Sequence, residues 1–362
     1  MAGILLEEPS PLGNIIAVVE DDDRVIYFYL NFPDTPEDDP GRTKVCWVRN
    51  RLAAPRDLDE SAMERGQPPL MPAGHCVHSG AGQPLDPDSL RVVWFEECDG
   101  AALLERDQPL AIIPSWSGQG DFSGYSRDCV GNGPFAWELD SENVLHERIR
   151  AADEFWRLWD DEDFWSQWRD ERIAAIESVL GPHSNYYAID GDEFPPRALL
   201  RFDLPDKYVL MTVGMSLLPQ PQVERYFEDP SPHRRIELAT AVDARCPEDE
   251  VMELATFISG QATFSWQRFT WIGEGHTMTC GSTPPSCGGR TFGAVLFTSR
   301  LPKTPRINLP PFRGDPLSVL WLLAISQAER EFAQQQKSEA LLQRLAGSGC
   351  DFVIRKRAPL KL

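Results

Sequence analysis

Lysine is scarce in this chain: six of its 35 basic residues are lysine and the rest are arginine. That bias hints at a GC-rich bacterial genome and says nothing about mechanism. Nowhere do 18 apolar residues run together, which excludes a membrane-spanning helix. The opening Met-Ala-Gly-Ile-Leu-Leu-Glu-Glu has neither a basic start nor a long apolar stretch, so no secretory leader is expected and the protein is expected in the cytoplasm. The eight cysteines, at 46, 76, 98, 129, 246, 280, 287 and 350, lack any framework spacing. In that compartment they read as reduced core or loop thiols. Phosphate-loop, nucleophile-elbow, H-E-x-x-H and protein-kinase signatures are all missing, which weakens the case for an enzyme without excluding one.

What is present is ample material for cores. Of 362 residues, 42% are hydrophobic and 25% charged, with 18 Phe, 11 Trp and 7 Tyr, which excludes wholesale disorder and suggests two domains. The charge is lopsided. Residues 1–180 hold 36 Asp and Glu against 15 Lys and Arg, whereas residues 181–362 hold 20 against 20, so the whole net charge of −21 sits in the first half. Such a field repels nucleic acid and anionic lipid and would steer a basic protein toward the chain. The plainer reading is that acidity keeps the protein soluble.

The first segment reads as short strands between turn-rich loops. Ile15–Glu20 and Val25–Leu30 flank Asp21-Asp22-Asp23-Arg24 and suit a hairpin. Val45–Val48, Val92–Glu96, Leu110–Ile113 and a last signal near Trp137 and Leu139 complete a β-rich region over 1–140, with a glycine-rich loop at 114–134. From 141 to 181 the pattern is helical. It is split by Asp160-Asp161-Glu162-Asp163, acidic groups suited to a helix N-terminus, and closed by Gly181-Pro182. Residues 182–362 alternate strand and helix. The strands are expected at Tyr186–Ile189, Ala198–Phe202, Tyr208–Val213, Val223–Phe227, Ile236–Val242, Phe292–Phe297 and Ser318–Ala324. The helices are expected at Pro247–Ile258 and in a last one capped by Ser326-x-x-Glu329 and closed by Gly347. The expected class is α+β or α/β: a mixed sheet with packed helices, preceded by a β-rich N-terminal domain.

Candidate chemistry is thin. Gly118-x-Gly120-x-x-x-Gly124 misses the dinucleotide spacing and reads as a surface loop. His276, Cys280 and Cys287, and separately His75, Cys76 and His78, offer three zinc ligands each at the wrong spacing, so no metal is expected. A loop histidine bonded to backbone is the better reading of His276. Asp190-x-Asp192-Glu193 lacks the rest of a calcium loop and reads as a solvated turn. Trp156, Trp159, Trp165 and Trp168 would be anchors for a partner if exposed, but at helical spacing they fit a core or domain interface better.

Several stretches in order carry a resemblance. They are Ile173-Ala-Ala-Ile-Glu-Ser-Val-Leu-Gly181, Tyr208-Val-Leu-Met-Thr-Val-Gly-Met-Ser216, Arg234-Arg-Ile-Glu-Leu238, Gly275-His276-Thr277, Ile325-Ser-Gln-Ala-Glu-Arg-Glu-Phe332 and Ser338-Glu-Ala-Leu-Leu-Gln-Arg-Leu345. Together, over about 175–355, they resemble the suppressor of fused domain family in its bacterial members. Gly214, Arg235, Glu237, Gly275, His276 and Thr277 are the signature positions, and residues 280–291 are a local elaboration. The first 140 residues are similar to an N-terminal extension found on some bacterial members. The resemblance implies a mixed α/β domain, no catalytic residues and no cofactor. In animals such domains bind a transcription-factor segment, partly by strand addition between two domains; in bacteria they are expected to act as immunity proteins against polymorphic toxins.

The reading is therefore a non-enzymatic protein that masks or neutralises a basic protein partner. Asp21, Asp22 and Asp23 with Asp160, Asp161, Glu162 and Asp163 are the candidate steering groups. Nucleic acid and membrane are not expected as partners, and the oligomeric state is open. Two alternatives stand beside it: an enzyme or small-molecule binder with a site near His276 or the 114–134 loop, and a structural scaffold.

Overall fold

The computed structural model describes residues 3–36, 39–281 and 293–361, and divides the chain into two compact units, Met1–Asp161 and Glu162–Leu362. The two helices that carry the clustered tryptophans fall on opposite sides of that division.

In the first unit β1 (Gly3–Pro9), β2 (Ile16–Asp21), β3 (Val25–Asn31) and β4 (Thr43–Asn50) form an antiparallel sheet in chain order. The hairpin between β2 and β3 forms where the Asp-rich turn predicts it. A short helix, α1 (Glu60–Glu64), follows, with the Asp59 carboxylate accepting from the Ala62 amide at 2.9 Å. β5 (Leu90–Trp94), β6 (Ala101–Glu105), β7 (Gln108–Ile113), β8 (Tyr125–Ser126) and β9 (Trp137–Glu138) make a second sheet, antiparallel except between β8 and β9. α2 (Leu145–Arg157) lays Leu145, Ile149 and Ala152 on Val93, Leu104 and Ile112. Trp156, half-buried, packs against the same cluster while its indole N–H donates to the Trp94 carbonyl at 2.6 Å, so its polar edge is satisfied.

Long loops need side-chain anchors, since a loop lacks a ladder to satisfy its backbone. The Asn50 amide supplies one: Oδ1 accepts from the Met71 amide at 2.9 Å and Nδ2 donates to the Met71 carbonyl at 2.8 Å. Tyr27 donates to the Pro69 carbonyl at 2.8 Å, and Lys44 donates to the Ser115 carbonyl at 2.9 Å. β1, β6 and β8 lie outside the predicted strands, β8 within the stretch 114–134 expected to be a loop. Ala101-Ala-Leu-Leu-Glu105 is built from helix formers, and cross-strand burial between β5 and β7 overrides that preference.

The second unit opens with α3 (Phe164–Leu180), ended by Gly181 at φ +83°. The Asp163 side chain makes no capping hydrogen bond, so the acidic run before α3 acts through its position and not as a cap. β10 (Asn185–Ala188), β11 (Ala198–Leu204) and β12 (Lys207–Val213) are followed by α4 (Ser231–Arg234), β13 (Arg235–Asp243), α5 (Glu248–Gln261) and α6 (Phe264–Arg268). Then come β14 (Thr277–Thr279), β15 (Ala294–Thr298), β16 (Leu309–Phe312), β17 (Asp315–Ile325), α7 (Gln327–Gln336), α8 (Ser338–Gly347) and β18 (Val353–Ile354). The sheet runs β10-β11-β12-β13-β17-β15-β14, with β16 beside β17 and β18 beside β13. β13 pairs in parallel with β17 and β18, and the other pairs are antiparallel, so the sheet is mixed as expected. β13 is buried along nearly its whole length, as befits a central strand.

Two predicted elements differ. The run 223–227 is not a strand; Val223–Arg225 is a single 3-10 turn entered by Gln222 at φ +64°. The last helix is two helices, broken at Lys337, which takes φ +68°. Its capping box at Ser326 and Glu329 is present. The predicted strand at 292–297 begins outside the described residues and is seen as β15.

Candidate functional site

Three signature positions converge on one buried knot. β12 ends at Val213, and the chain turns through Gly214 into a 3-10 turn at Met215–Leu217. Arg235 and Glu237 lie two apart on β13, hence on one face, and each is 1% exposed. Glu237 Oε1 accepts from the Gly214 amide at 3.0 Å, the Ser216 amide at 3.0 Å and the Ser216 hydroxyl at 2.5 Å. Its Oε2 accepts from Thr212 Oγ1 at 2.6 Å. Arg235 grips the same turn from its carbonyl side, donating through Nη1 to Leu217 at 2.5 Å and Ser216 at 3.2 Å. Its Nε donates to Asp315 at 3.1 Å, and the guanidinium lies over the Phe312 ring at 4.9 Å.

Gly214 is required by geometry. It sits at φ +111°, and a Cβ there would lie 2.4 Å from the Pro196 carbonyl oxygen. Burial pushes the Glu237 carboxyl above the ordinary carboxylate range, against the pull of its hydrogen bonds. Both oxygens are hydrogen-bonded and the side chain is buried, so this carboxylate is engaged in holding the turn. The knot holds a turn in place. Thr212, Ser216 and Asp315 complete it and were not singled out in the sequence. Two opposite charges alternating with apolar residues in Arg235-Ile-Glu237-Leu was the available signal that such partners must exist.

The other three signature positions form a separate loop. Gly275, at φ +82°, has its carbonyl held by the Ser338 hydroxyl, and its amide donates to Phe297 at 2.8 Å. Thr277 begins β14 opposite Leu296. The His276 ring is half-buried, 4.3 Å from the Trp271 ring, and Nδ1 accepts from the Gly273 amide at 3.3 Å. An accepting Nδ1 requires the neutral ring, and burial lowers the His276 pKa in the same sense. Cys280 is buried, with its thiol pushed up to about 11 by burial, and Cys287 lies outside the described residues.

The acidic clusters differ in kind. Asp21 is 2% exposed and paired with Arg51, and Asp22 accepts from the Arg24 and Val25 amides at 2.9 and 2.7 Å. Of that triplet Asp23 is the exposed member. Asp160, Asp161, Glu162 and Asp163 are all exposed. Asp190 caps its own turn, accepting from the Asp192 amide at 3.2 Å and the Arg197 amide at 2.9 Å. His75 contacts the Val130 carbonyl at 3.3 Å, and the 114–134 loop borders an open depression of about 950 Å3 with His75, Phe122 and Trp137. Among the described residues no three His, Cys, Asp or Glu side chains are placed to hold a metal ion. No helix is long and apolar enough to cross a membrane among them.

Comparison with known families places residues 195–357 on the model of the family described as Suppressor of fused protein (SUFU). Residues 195–357 form a suppressor-of-fused-like domain. All six signature positions fall inside the matched span of that domain, and the first unit falls outside it. Among solved structures, a chain of the Sufu-Fu complex crystal structure is similar at 12% identity, covering 53% of this chain and 91% of that one with a TM-score of 0.38. No curated protein matches the chain.

Proposed function

We propose that the protein is a non-enzymatic binding protein that masks a protein partner by stoichiometric association, the partner being basic and, within that class, a toxin neutralised in the cytoplasm. The observation that carries the reading is the suppressor-of-fused-like domain at 195–357 joined to a first half that holds the entire charge of −21. The knot around Glu237 supports the same reading, because its polar groups are consumed in holding a turn. Steering falls to exposed carboxylates, with Asp23 and Asp160–Asp163 foremost, while affinity comes from apolar and aromatic contacts.

The test is kinetic. Replacing Asp160, Asp161 and Asp163 by Asn and Glu162 by Gln should slow association with the captured partner by roughly tenfold at low salt, with little change in dissociation. An unchanged association rate removes the steering claim, and turnover of any substrate by the purified chain removes the non-enzymatic one.

A further inference from the structure

Pairing along β17 is interrupted. β15 pairs with it from Ile325 back to Trp321, and β16 resumes only at Leu317. Ser318, Val319 and Leu320 therefore have β13 on one edge and, among the described residues, no strand on the other. Where that neighbour would run, the chain leaves the sheet as the loop 299–308, and a groove of about 810 Å3 lies between loop and edge. Its floor is apolar: Ile236, Ile272, Leu317, Leu320 and Trp321 line it and are buried.

Its rim is cationic. Residues 293–314 hold four Arg and Lys and no Asp or Glu, on a chain of net charge −21. The carboxylate in the lining, Glu274, is occupied by the Ser299 amide and hydroxyl, both at 2.8 Å, and by Thr298 Oγ1 at 2.5 Å. Arg300 is tied to Glu339 at 3.1 Å. Lys303 and Arg306 are exposed on the rim and make no ion pair among the described residues.

We propose that this groove takes an acidic, extended peptide segment, laid as a strand against Ser318–Leu320. An open strand edge offers backbone hydrogen bonds to an extended chain, and alternate side chains of that chain point to opposite sides. One set would meet the apolar floor, and carboxylates on the other would reach Lys303 and Arg306. A small anion would use the two cations and leave the floor and the strand edge unused. The inference deepens the protein-binding reading at a surface distinct from the acidic clusters. The two fail separately, since losing the groove leaves association of a basic partner untouched.

The experiment uses the full chain and a fluorescein-labelled Glu-Val-Glu-Val-Glu-Val peptide, followed by anisotropy. Saturable binding is expected, weakened at least about tenfold by Lys303→Glu with Arg306→Glu. Binding should be lost when the inner valines become proline, which removes the strand-forming N–H groups at unchanged charge. Amide exchange at Ser318–Leu320 should slow in the complex. No saturation, equal binding by the proline or a lysine-for-glutamate peptide, or unaltered exchange at those amides would each overturn the proposal.

Discussion

In Met1–Asp161 carboxylates work at turns. Asp22, Asp39, Asp59, Asp86 and Asp140 each accept a backbone amide two or three residues ahead, between 2.7 and 3.2 Å. In Glu162–Leu362 turn carboxylates recur at Asp190 and Asp243, but a set of charges is also enclosed in the fold: Arg235 with Asp315 and the turn at 214–217, and Glu329 with Arg357. The contrast separates two uses of charge. A turn carboxylate still projects its field into solvent, so the first unit can be acidic at small cost to folding. A buried charge must be answered on every side, and its surroundings are then fixed. Part of the acidity of the first half has this local structural reason, and only the remainder is available for steering.

The largest expected effect tests the buried side. Glu237→Ala orphans the Gly214 and Ser216 amides and two hydroxyls, so urea unfolding should show a loss of about 3 kcal/mol or more. Glu237→Gln keeps an acceptor on Oε1 and a donor toward Thr212, whose hydroxyl can turn to the Leu238 carbonyl, and should lose about 1 kcal/mol. Equal losses for the two variants would show that the hydrogen bonds a glutamine keeps contribute nothing and that the carboxylate itself holds the turn.

Next in size is Gly214→Ala. A left-handed backbone and a Cβ 2.4 Å from the Pro196 carbonyl should together cost about 2–3 kcal/mol in the same measurement. A neutral result would mean that the turn shifts freely and that the knot is not rigid.

Glu237 and Glu329, both buried, should respond to pH with opposite sign. For Glu329 burial alone would raise the pKa, but Arg357 and the Ser326 and Leu360 amides outweigh it and hold the group below the ordinary value. Its contribution is present above the unfolded carboxylate pKa and disappears as pH falls through the folded one. For Glu237 the folded pKa is raised, so its contribution is complete below the unfolded pKa and diminishes as pH rises through the folded one. Accordingly, Glu329→Gln should flatten the acid limb of a stability–pH profile. An unchanged acid limb would refute the Glu329–Arg357 clamp.

The smallest effects belong to the first unit and the junction. Asp59→Ala, which removes the α1 cap, should cost about 1 kcal/mol. Neutralising Asp160–Asp163 should move stability by less than about 0.5 kcal/mol while still slowing association. A large stability loss there would make those residues structural and blur the contrast.

Strand periodicity and helix signals in the sequence locate most elements, because β2, β3, β13 and β17 are apolar, β-branched runs and the Ser326 capping box is local. What escaped depends on contacts made far along the chain. β6, built from helix formers, gives no strand signal until its neighbours are known, and 223–227 reads as a strand although Gln222 turns it. The break at Lys337 has no glycine or proline to announce it. The same holds for the site. Gly214, Arg235 and Glu237 were legible as signature residues, but their joint grip on one turn needs Asp315, which is 80 residues from Arg235. The groove beside β17 was not legible, since the missing pairing at Ser318–Leu320 exists only between strands.

The measurement that bears most directly on the binding role is affinity capture from the source cells, with candidate partners expressed, using the intact chain as bait. Complexes would form at low salt and elute along a rising salt gradient, with each fraction identified by mass spectrometry. The expected result is one basic protein in stoichiometric amount, released at the higher salt steps. No enriched protein, or one that is acidic and indifferent to salt, would contradict the account.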